Sequence, residues 1–300
     1  GFFENKIDIS QKLAKERLLE LFDNSVKLRM ISDVPLGVFL SGGIDSAAVA
    51  FSMLKRSKNI KIMTVGFDDS SYDESRDAVK TAEFLGCELQ KIYIETDQNK
   101  IINAINCASK NLLADNSAIP FWLMSREAKK YVKVSLTGDG ADEIFAGYET
   151  YIADKLSYKY LKYIPPSCWK IINNLIKKLL PVSFKKISTD FKIRQFTNGM
   201  LSKWPESHFS WRKIFNEEDM KNLLCKDNFD EYKSKFKLLD KKYFKSNLDE
   251  LDNAIISDIQ TWLLECLLVK SDRMSMAHGL EIRSPFLDHN LVEFSASLPS

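Results

Sequence analysis

The sequence predicts an α/β fold, a doubly wound, mostly parallel sheet with flanking helices plus a helical C-terminal region. Three observations predict it. Short apolar runs without alternation, such as Leu36-Gly37-Val38-Phe39-Leu40, suit strands buried on both faces of a parallel sheet. These runs alternate with segments of helical period through the first half of the chain. Beyond about Tyr148 the strand patterning stops, and Lys-rich, aromatic-rich segments punctuated by Pro165, Pro166, Pro181 and Pro205 take over. The expected division is 1–147 for the α/β region and 148–300 for the helical region that completes the domain.

Leu18, Leu21, Phe22 and Val26 recur at helical spacing, and the helix they define should end before Asp33-Val34-Pro35, because proline cannot continue it. The apolar run at 36–40 follows as a strand and enters Ser41-Gly42-Gly43-Ile44-Asp45-Ser46, after which the alanine-rich 47–55 reads as helix. The pattern repeats with a strand at 61–66, a helix at 75–85 stopped by Gly86, and a strand at 88–95. Helices are expected at 97–110 and 118–130, with a fourth strand at 132–136. In doubly wound sheets ligands bind beyond the carboxyl ends of the strands, where the loops at 41–46 and 137–143 should fall.

Composition narrows the function. The 43 Lys plus Arg against 41 Asp plus Glu leave a net charge of +2, too little to steer the whole molecule toward nucleic acid or an anionic membrane, and neither is expected as a partner. The longest apolar stretches fall far short of the roughly 20 residues that cross a bilayer. Five cysteines (Cys87, Cys107, Cys168, Cys225 and Cys266) without CxxC spacing argue against a disulfide framework and a zinc site, and fit a reducing cytoplasm. No signal peptide is visible at Gly1-Phe2-Phe3-Glu4. The non-Met start and the stop just after an apolar helical pattern at Leu291 to Ser300 suggest a piece of a longer chain, truncated at both ends.

Two adjacent glycines after a buried strand let backbone N–H groups approach an anion, and the helix that follows adds its partial positive charge; phosphate is the natural ligand. The loop is not a Walker P-loop, since Gly43-Ile44 stands where Lys-Ser/Thr is required. Nor is Gly138-Asp139-Gly140-Ala141-Asp142-Glu143 a dinucleotide fingerprint, because Glu143 replaces the third glycine. That second loop, preceded by Thr137, packs three carboxylates into five residues. Such carboxylates repel one another unless a cation is present, which points to Mg²⁺ held jointly with phosphates. Taken singly, Asp45, Asp139 and Asp142 would read as helix caps.

The Ser-Gly-Gly-x-Asp-Ser loop resembles the pyrophosphate loop of the N-type ATP pyrophosphatases. Together with the Thr137 to Glu143 residues, Lys270-Ser271-Asp272-Arg273-Met274 and Glu281-Ile282-Arg283-Ser284-Pro285-Phe286-Leu287-Asp288, it makes the chain resemble the synthetase domain of glutamine-hydrolysing asparagine synthetases. The resemblance runs from about Leu18 to Leu298. It implies adenylation of the aspartate side-chain carboxylate by MgATP with release of pyrophosphate, then attack of ammonia to give asparagine and AMP. By that resemblance Ser41, Gly42, Gly43 and Ser46 hold pyrophosphate, Asp45 and Asp142 bind Mg²⁺, and Leu40 and Val65 contact adenosine, partly through backbone. Thr137 and Gly138 would line the adenylate site, and Asp139 would be a base accepting a proton from ammonia. Lys270 and Arg273, three apart on a helix, share a face suited to a clamp on departing pyrophosphate, with either one as the catalytic cation. Glu281, Arg283 and Asp288 read as structural ion pairs around the Pro285-Phe286 turn.

Departures from the family pattern bear on substrate and nitrogen source. No cysteine precedes Cys87, so ammonia would be free or come from a glutaminase domain missing from this chain. Members commonly carry Asp-Glu-Pro ahead of Ala-Asp-Ser-Ser, where this sequence reads Lys110-Asn111-Leu112-Leu113-Ala114-Asp115-Asn116-Ser117. If that segment lies near the acceptor, another carboxylate, such as a surface-polysaccharide precursor, competes with aspartate as substrate; drift on a surface loop is the alternative. The paired histidines of many members are also missing from the third strand. Residues 155–194 hold ten Lys or Arg against Asp190, interleaved with aromatics. Ile171, Ile172, Leu175, Ile176, Leu179 and Leu180 fall at helical spacing there, so a helix with a solvated lysine face explains the stretch. A tRNA-modifying ATP pyrophosphatase and a non-catalytic binding domain are the competing readings, and a homodimer is one candidate assembly.

Overall fold

The computed structural model describes residues 2–66, 75–94, 97–161, 163–181, 188–213, 215 and 217–299. Five strands, β1 (Leu36–Phe39), β2 (Lys61–Gly66), β3 (Leu89–Tyr93), β4 (Val134–Leu136) and β5 (Glu281–Arg283), form one sheet in the order β3-β2-β1-β4-β5. Every neighbouring pair is parallel. The helices, in chain order, are α1 (Gln11–Arg29), α2 (Ile44–Leu54), α3 (Ser75–Leu85), α4 (Gln98–Lys110), α5 (Ala118–Ala128), α6 (Ala141–Phe145), α7 (Glu149–Lys155), α8 (Pro166–Leu179), α9 (Thr189–Gly199), α10 (Glu206–Ser210), α11 (Glu217–Leu223), α12 (Lys226–Tyr243), α13 (Glu250–Asp258), α14 (Leu268–Met276) and α15 (His289–Ser297). Two π-helical stretches, Leu156–Leu161 and Ile259–Leu267, follow α7 and α13. None of the described helices is long and apolar enough to cross a membrane.

The chain divides into two compact units. One takes the chain up to Phe145 together with Ile259–Pro299; the other is Ala146–Asp258. The sheet unit thus recovers the last forty or so residues of the chain, including a strand in the region where sequence patterning showed none. That expectation is corrected by β5. Its three residues are too short for any periodicity to register, and two are charged. Pairing with β4 is nevertheless firm: Glu281 N–H donates to Lys133 O at 2.9 Å and Thr137 N–H donates to Arg283 O at 3.0 Å.

The order of the strands fixes where ligands can bind. The chain steps from β1 outward to β2 and β3, then returns to the other side of β1 as β4, with Leu36 opposite Val134 and Val38 opposite Leu136. Between β1 and β4 the winding therefore reverses, and the loops leaving their carboxyl ends part around a crevice. Beneath it lies a core of Phe22, Val26, Val38, Leu40, Val49, Met53, Leu136, Ile144, Phe286 and Leu291. Each large side chain buried there contributes about 1.5–3 kcal/mol. Helix α1 begins on Ser10, whose hydroxyl accepts from Leu13 N–H, and ends well before Pro35. It buries Phe22, whose ring centroid lies 4.7 Å from that of Phe286.

In the second unit Trp169, Met200 and Trp211 pack with Ile172 and Phe196. Lys170, Lys177 and Lys178 of α8 stand exposed, so the helix has the expected lysine face. The apolar row Ile171, Leu175 and Leu179 is exposed as well, because the buried side of α8 runs through Trp169, Ile172, Asn173 and Ile176 instead. Lys162, Phe184, Lys185 and Lys186 of the basic stretch, like Glu95 of the third expected strand, lie outside the described residues.

Candidate active site

Helix α2 starts immediately after the first loop. Its N-cap is Gly43, in extended conformation and without a side chain to cap the helix, an arrangement that suits an anion at the first-turn N–H groups. The loop's own hydroxyls pre-shape it. Ser46 Oγ accepts from Ser41 N–H at 3.0 Å and reaches Gly43 O at 3.1 Å, while Ser41 Oγ lies 2.9 Å from Ser46 Oγ and accepts from Gly43 N–H at 3.1 Å. Val49, Ala50 and Met53 are fully buried and anchor the helix behind this loop.

The second loop lies against the first. A Cβ built on Gly138 would sit 2.9 Å from Asp45 Cβ and 3.1 Å from Ser46 N, so only glycine lets the two turns close on each other. Gly140, at φ +93°, has Leu287 Cδ2 2.3 Å and Leu287 Cγ 2.6 Å from where a Cβ would be. The downstream Pro285-Phe286-Leu287 turn is therefore a buttress under the carboxylate loop. Ser25 Oγ donates to Pro285 O at 2.5 Å, and Arg29 pairs with Asp288 at 3.1 Å while Arg283 pairs with Glu281 at 2.8 Å. These are structural pairs, as expected.

Of the three carboxylates, Glu143 is buried, Asp139 accepts from Ser271 Oγ at 2.9 Å, and Asp142 comes near Asp45. Burial, and then the charge of Asp142, push the Asp45 carboxyl above the usual range; burial does the same to Asp142. A divalent cation between them would remove that penalty. Among the described residues no three His, Cys, Asp or Glu side chains gather into a metal-binding group. Two carboxylates and no closed cage fit Mg²⁺, which keeps several waters and takes other ligands from substrate phosphates.

Helix α14 brings Lys270 and Arg273 to different surroundings. The Lys270 side chain is only 12% exposed, and its ammonium donates to Asp115 Oδ2 at 3.0 Å and Ser117 Oγ at 2.8 Å. Arg273 is 60% exposed, its nearest acid being Asp272 at 3.8 Å. Thr137 is buried, its hydroxyl 3.5 Å from that of Ser284. Leu40 is buried in the core, so what it can offer a ligand is its backbone; Val65 is half-buried against Ile94, Trp122 and Met274.

Sequence reasoning named Asp115, Ser117 and Ser271 within motifs but gave them no role, although they hold Lys270 and Asp139; it passed over Asp77, whose Cβ lies 2.9 Å from the Cβ position of Gly42. Asp115 and Ser117 form an Asx turn ahead of α5, with Ser117 N–H donating to Asp115 Oδ1 at 2.9 Å, and the Ser117 side chain does not cap the helix. The altered Lys110 and Asn111 end helix α4. Lys110 is an exposed cation in its last turn and Asn111 Nδ2 donates back to Cys107 O at 2.8 Å, which suits a helix C-terminus.

Comparison with known proteins identifies the family. The asparagine synthase family model matches residues 17–300. Asparagine synthetase [glutamine-hydrolyzing] 1 of Bacillus subtilis is 32% identical over 291 residues, which are 96% of this chain and 44% of that protein. Asparagine synthetase [glutamine-hydrolyzing] 3 of the same organism is 27% identical over 93% of this chain and 41% of its own length. The chain thus spans less than half the length of these curated relatives. Among solved structures, the NH3-dependent NAD synthetase of Campylobacter jejuni covers 81% of this chain and 100% of that one at 16% identity, with a TM-score of 0.32, a likeness too slight to weigh. On the match over 17–300 and the relatives that share nearly its whole length, the chain belongs to the asparagine synthase family.

Proposed function

We propose that this chain is an ATP-dependent amide-forming ligase module that activates the side-chain carboxylate of aspartate as an acyl-adenylate and passes it to ammonia. The observation that carries the reading is the contact of the two loops at Gly138 and Asp45, which sets an uncapped helix N-terminus beside two carboxylates drawn from separate turns. In the first step a carboxylate oxygen attacks the α-phosphorus of ATP, the bond to the β-phosphate breaks, and pyrophosphate leaves. In the second, ammonia attacks the acyl carbon and AMP departs with the bonding pair.

The residues divide this work. Amides of the first turn of α2, with the Ser41 and Ser46 hydroxyls, bind the β- and γ-phosphates. Asp45 and Asp142 would hold Mg²⁺, which supplies neutralisation of phosphate charge. Lys270, nearly buried and held at its ammonium, is the better cation for the pyrophosphate leaving group than exposed Arg273. Asp139, oriented by Ser271, takes a proton from the attacking ammonia. Leu40 and Val65 border the adenosine site, and Thr137 and Gly138 the adenylate. The relatives are named as glutamine-hydrolyzing synthetases, which supports a glutaminase domain as the ammonia source.

The test is ATP/pyrophosphate exchange in the full-length protein with aspartate and Mg²⁺, followed by asparagine formation with ammonium. Exchange that requires aspartate is expected. Exchange with a different acid alone would replace the substrate, and none with any carboxylate would reject the ligase reading.

A further inference from the structure

Lys270 sits in a closed triangle with two residues from the segment before α5. Its Nζ lies 3.0 Å from Asp115 Oδ2 and 2.8 Å from Ser117 Oγ, and Ser117 Oγ donates to the same Asp115 oxygen at 2.7 Å. The carboxylate is itself fixed by its second oxygen, which accepts Ser117 N–H. Both ion-pair partners are largely shielded, at 12% and 17% side-chain exposure, so the interaction is screened far less than a surface pair. Burial alone would push the Asp115 carboxyl up, but the Ser117 hydroxyl and the Lys270 charge hold it below the usual range, so it stays an anion. Next along α14, Ser271 donates to Asp139. Consecutive residues of one helix thereby connect the 115–117 turn with the carboxylate loop.

An ammonium has three N–H donors, and two are committed to the 115–117 turn. Two fixed acceptors leave the third N–H a defined direction rather than the sweep of a four-carbon stem. We propose that Asp115, backed by Ser117, is a positioning residue: it acts through Lys270, fixing the ammonium so that one N–H is directed at the leaving pyrophosphate. This role rests on the ligase reading above. It also explains why the turn at 115–117 carries an acid beside a hydroxyl although neither belongs to the phosphate-binding loops. Because the contact is made through a cation whose task falls late in the adenylation step, removal of Asp115 should lower turnover more than ATP binding.

The experiment uses the full-length protein and the variants Asp115→Asn, Asp115→Glu, Lys270→Gln and the Asn/Gln double variant. In ATP/pyrophosphate exchange, Asp115→Asn is expected to lower kcat roughly 10- to 100-fold, as misplacement of a catalytic group by about 1 Å does, with KM for ATP changed less than about twofold. Asp115→Glu should recover part of the loss, and the double variant should be no worse than Lys270→Gln, since both remove one device. Independently of activity, acylation of Lys270 by an amine-directed reagent, followed by peptide mass spectrometry, should run faster in Asp115→Asn, because the shielded ammonium loses the partner that holds it. Unchanged labelling, or losses that multiply in the double variant, would overturn the role. Wild-type exchange alongside an unimpaired Asp115→Asn would overturn this role alone, whereas wild-type protein without exchange would overturn the ligase reading and this role with it.

Discussion

Raising the pH through about 9 removes the proton that binds together the buried charges of the second unit, and its stability should fall accordingly. His208 is fully buried, with Nδ1 2.7 Å from Asp154 Oδ2 and Nε2 3.0 Å from Asp258 Oδ1. Arg212 also donates to Asp258, and the Trp211 indole N–H donates to Asp154 at 2.5 Å. Burial by itself would push the imidazole down, but the two hydrogen-bonded carboxylates outweigh it and raise His208 from 6.5 to about 9. The folded value lies above the unfolded one. The stabilisation is therefore complete below about pH 6.5 and is lost as pH rises through about 9. At 1.36 kcal/mol per pH unit this amounts to about 3 kcal/mol, a large share of the 5–15 kcal/mol typical of a domain. Urea unfolding followed by tryptophan emission between about pH 6 and about pH 10 reads it directly. The wild-type free energy should drop by about 3 kcal/mol over that range, and His208→Gln should start about 3 kcal/mol lower and stay nearly flat. A flat wild-type profile, or the same slope in His208→Gln, would refute the reasoning.

Two further outcomes follow from the sheet unit. Gly140→Ala meets both a left-handed backbone and Leu287, so it should destabilise the protein by about 1–3 kcal/mol in thermal unfolding and cut exchange activity by displacing the carboxylate loop. Lys270→Gln should lower exchange roughly 100- to 1,000-fold, to a rate still measurable, whereas Arg273→Gln, at an exposed position, should retain activity within about threefold of wild type; the reverse ranking, read from steady-state exchange rates, would move the catalytic cation to Arg273.

How much of this could be read from the chain depends on the range of the interaction. The turn at 41–46 was legible because a buried strand, a glycine pair and a helix-forming run are contiguous, and each has its own local signature. The same holds for the doubly wound sheet, whose first four strands alternate along the chain with helix-forming segments. What escaped was made of partners far apart in sequence. Asp115 and Lys270 are 155 positions apart, and Ser271 and Asp139 are 132 apart, so neither pairing leaves a spacing to detect. Leu287 reads as an ordinary apolar residue until Gly140 is seen to lie against it. The His208 cluster draws on Asp154, Asp258 and Arg212 from three separate stretches of helical unit, each of which alone reads as a solvated charge. The Lys110-Asn111 departure was legible as a change of charge, but its setting at the end of α4 was not, and that setting accounts for both residues by helix-end chemistry.

The central claim is that two turns of the sheet, one carrying Asp45 and the other Asp142, share a single nucleotide and its divalent ion. Calorimetric titration of the full-length protein with α,β-methylene-ATP, with and without Mg²⁺, tests it most directly. Each of Asp45→Asn and Asp142→Asn should weaken Mg²⁺-dependent binding roughly tenfold or more, and the double variant should lose less than the sum of the two free-energy changes, because both act on one ion. Full Mg²⁺ dependence in either single variant, or strictly additive losses in the double, would contradict a shared site.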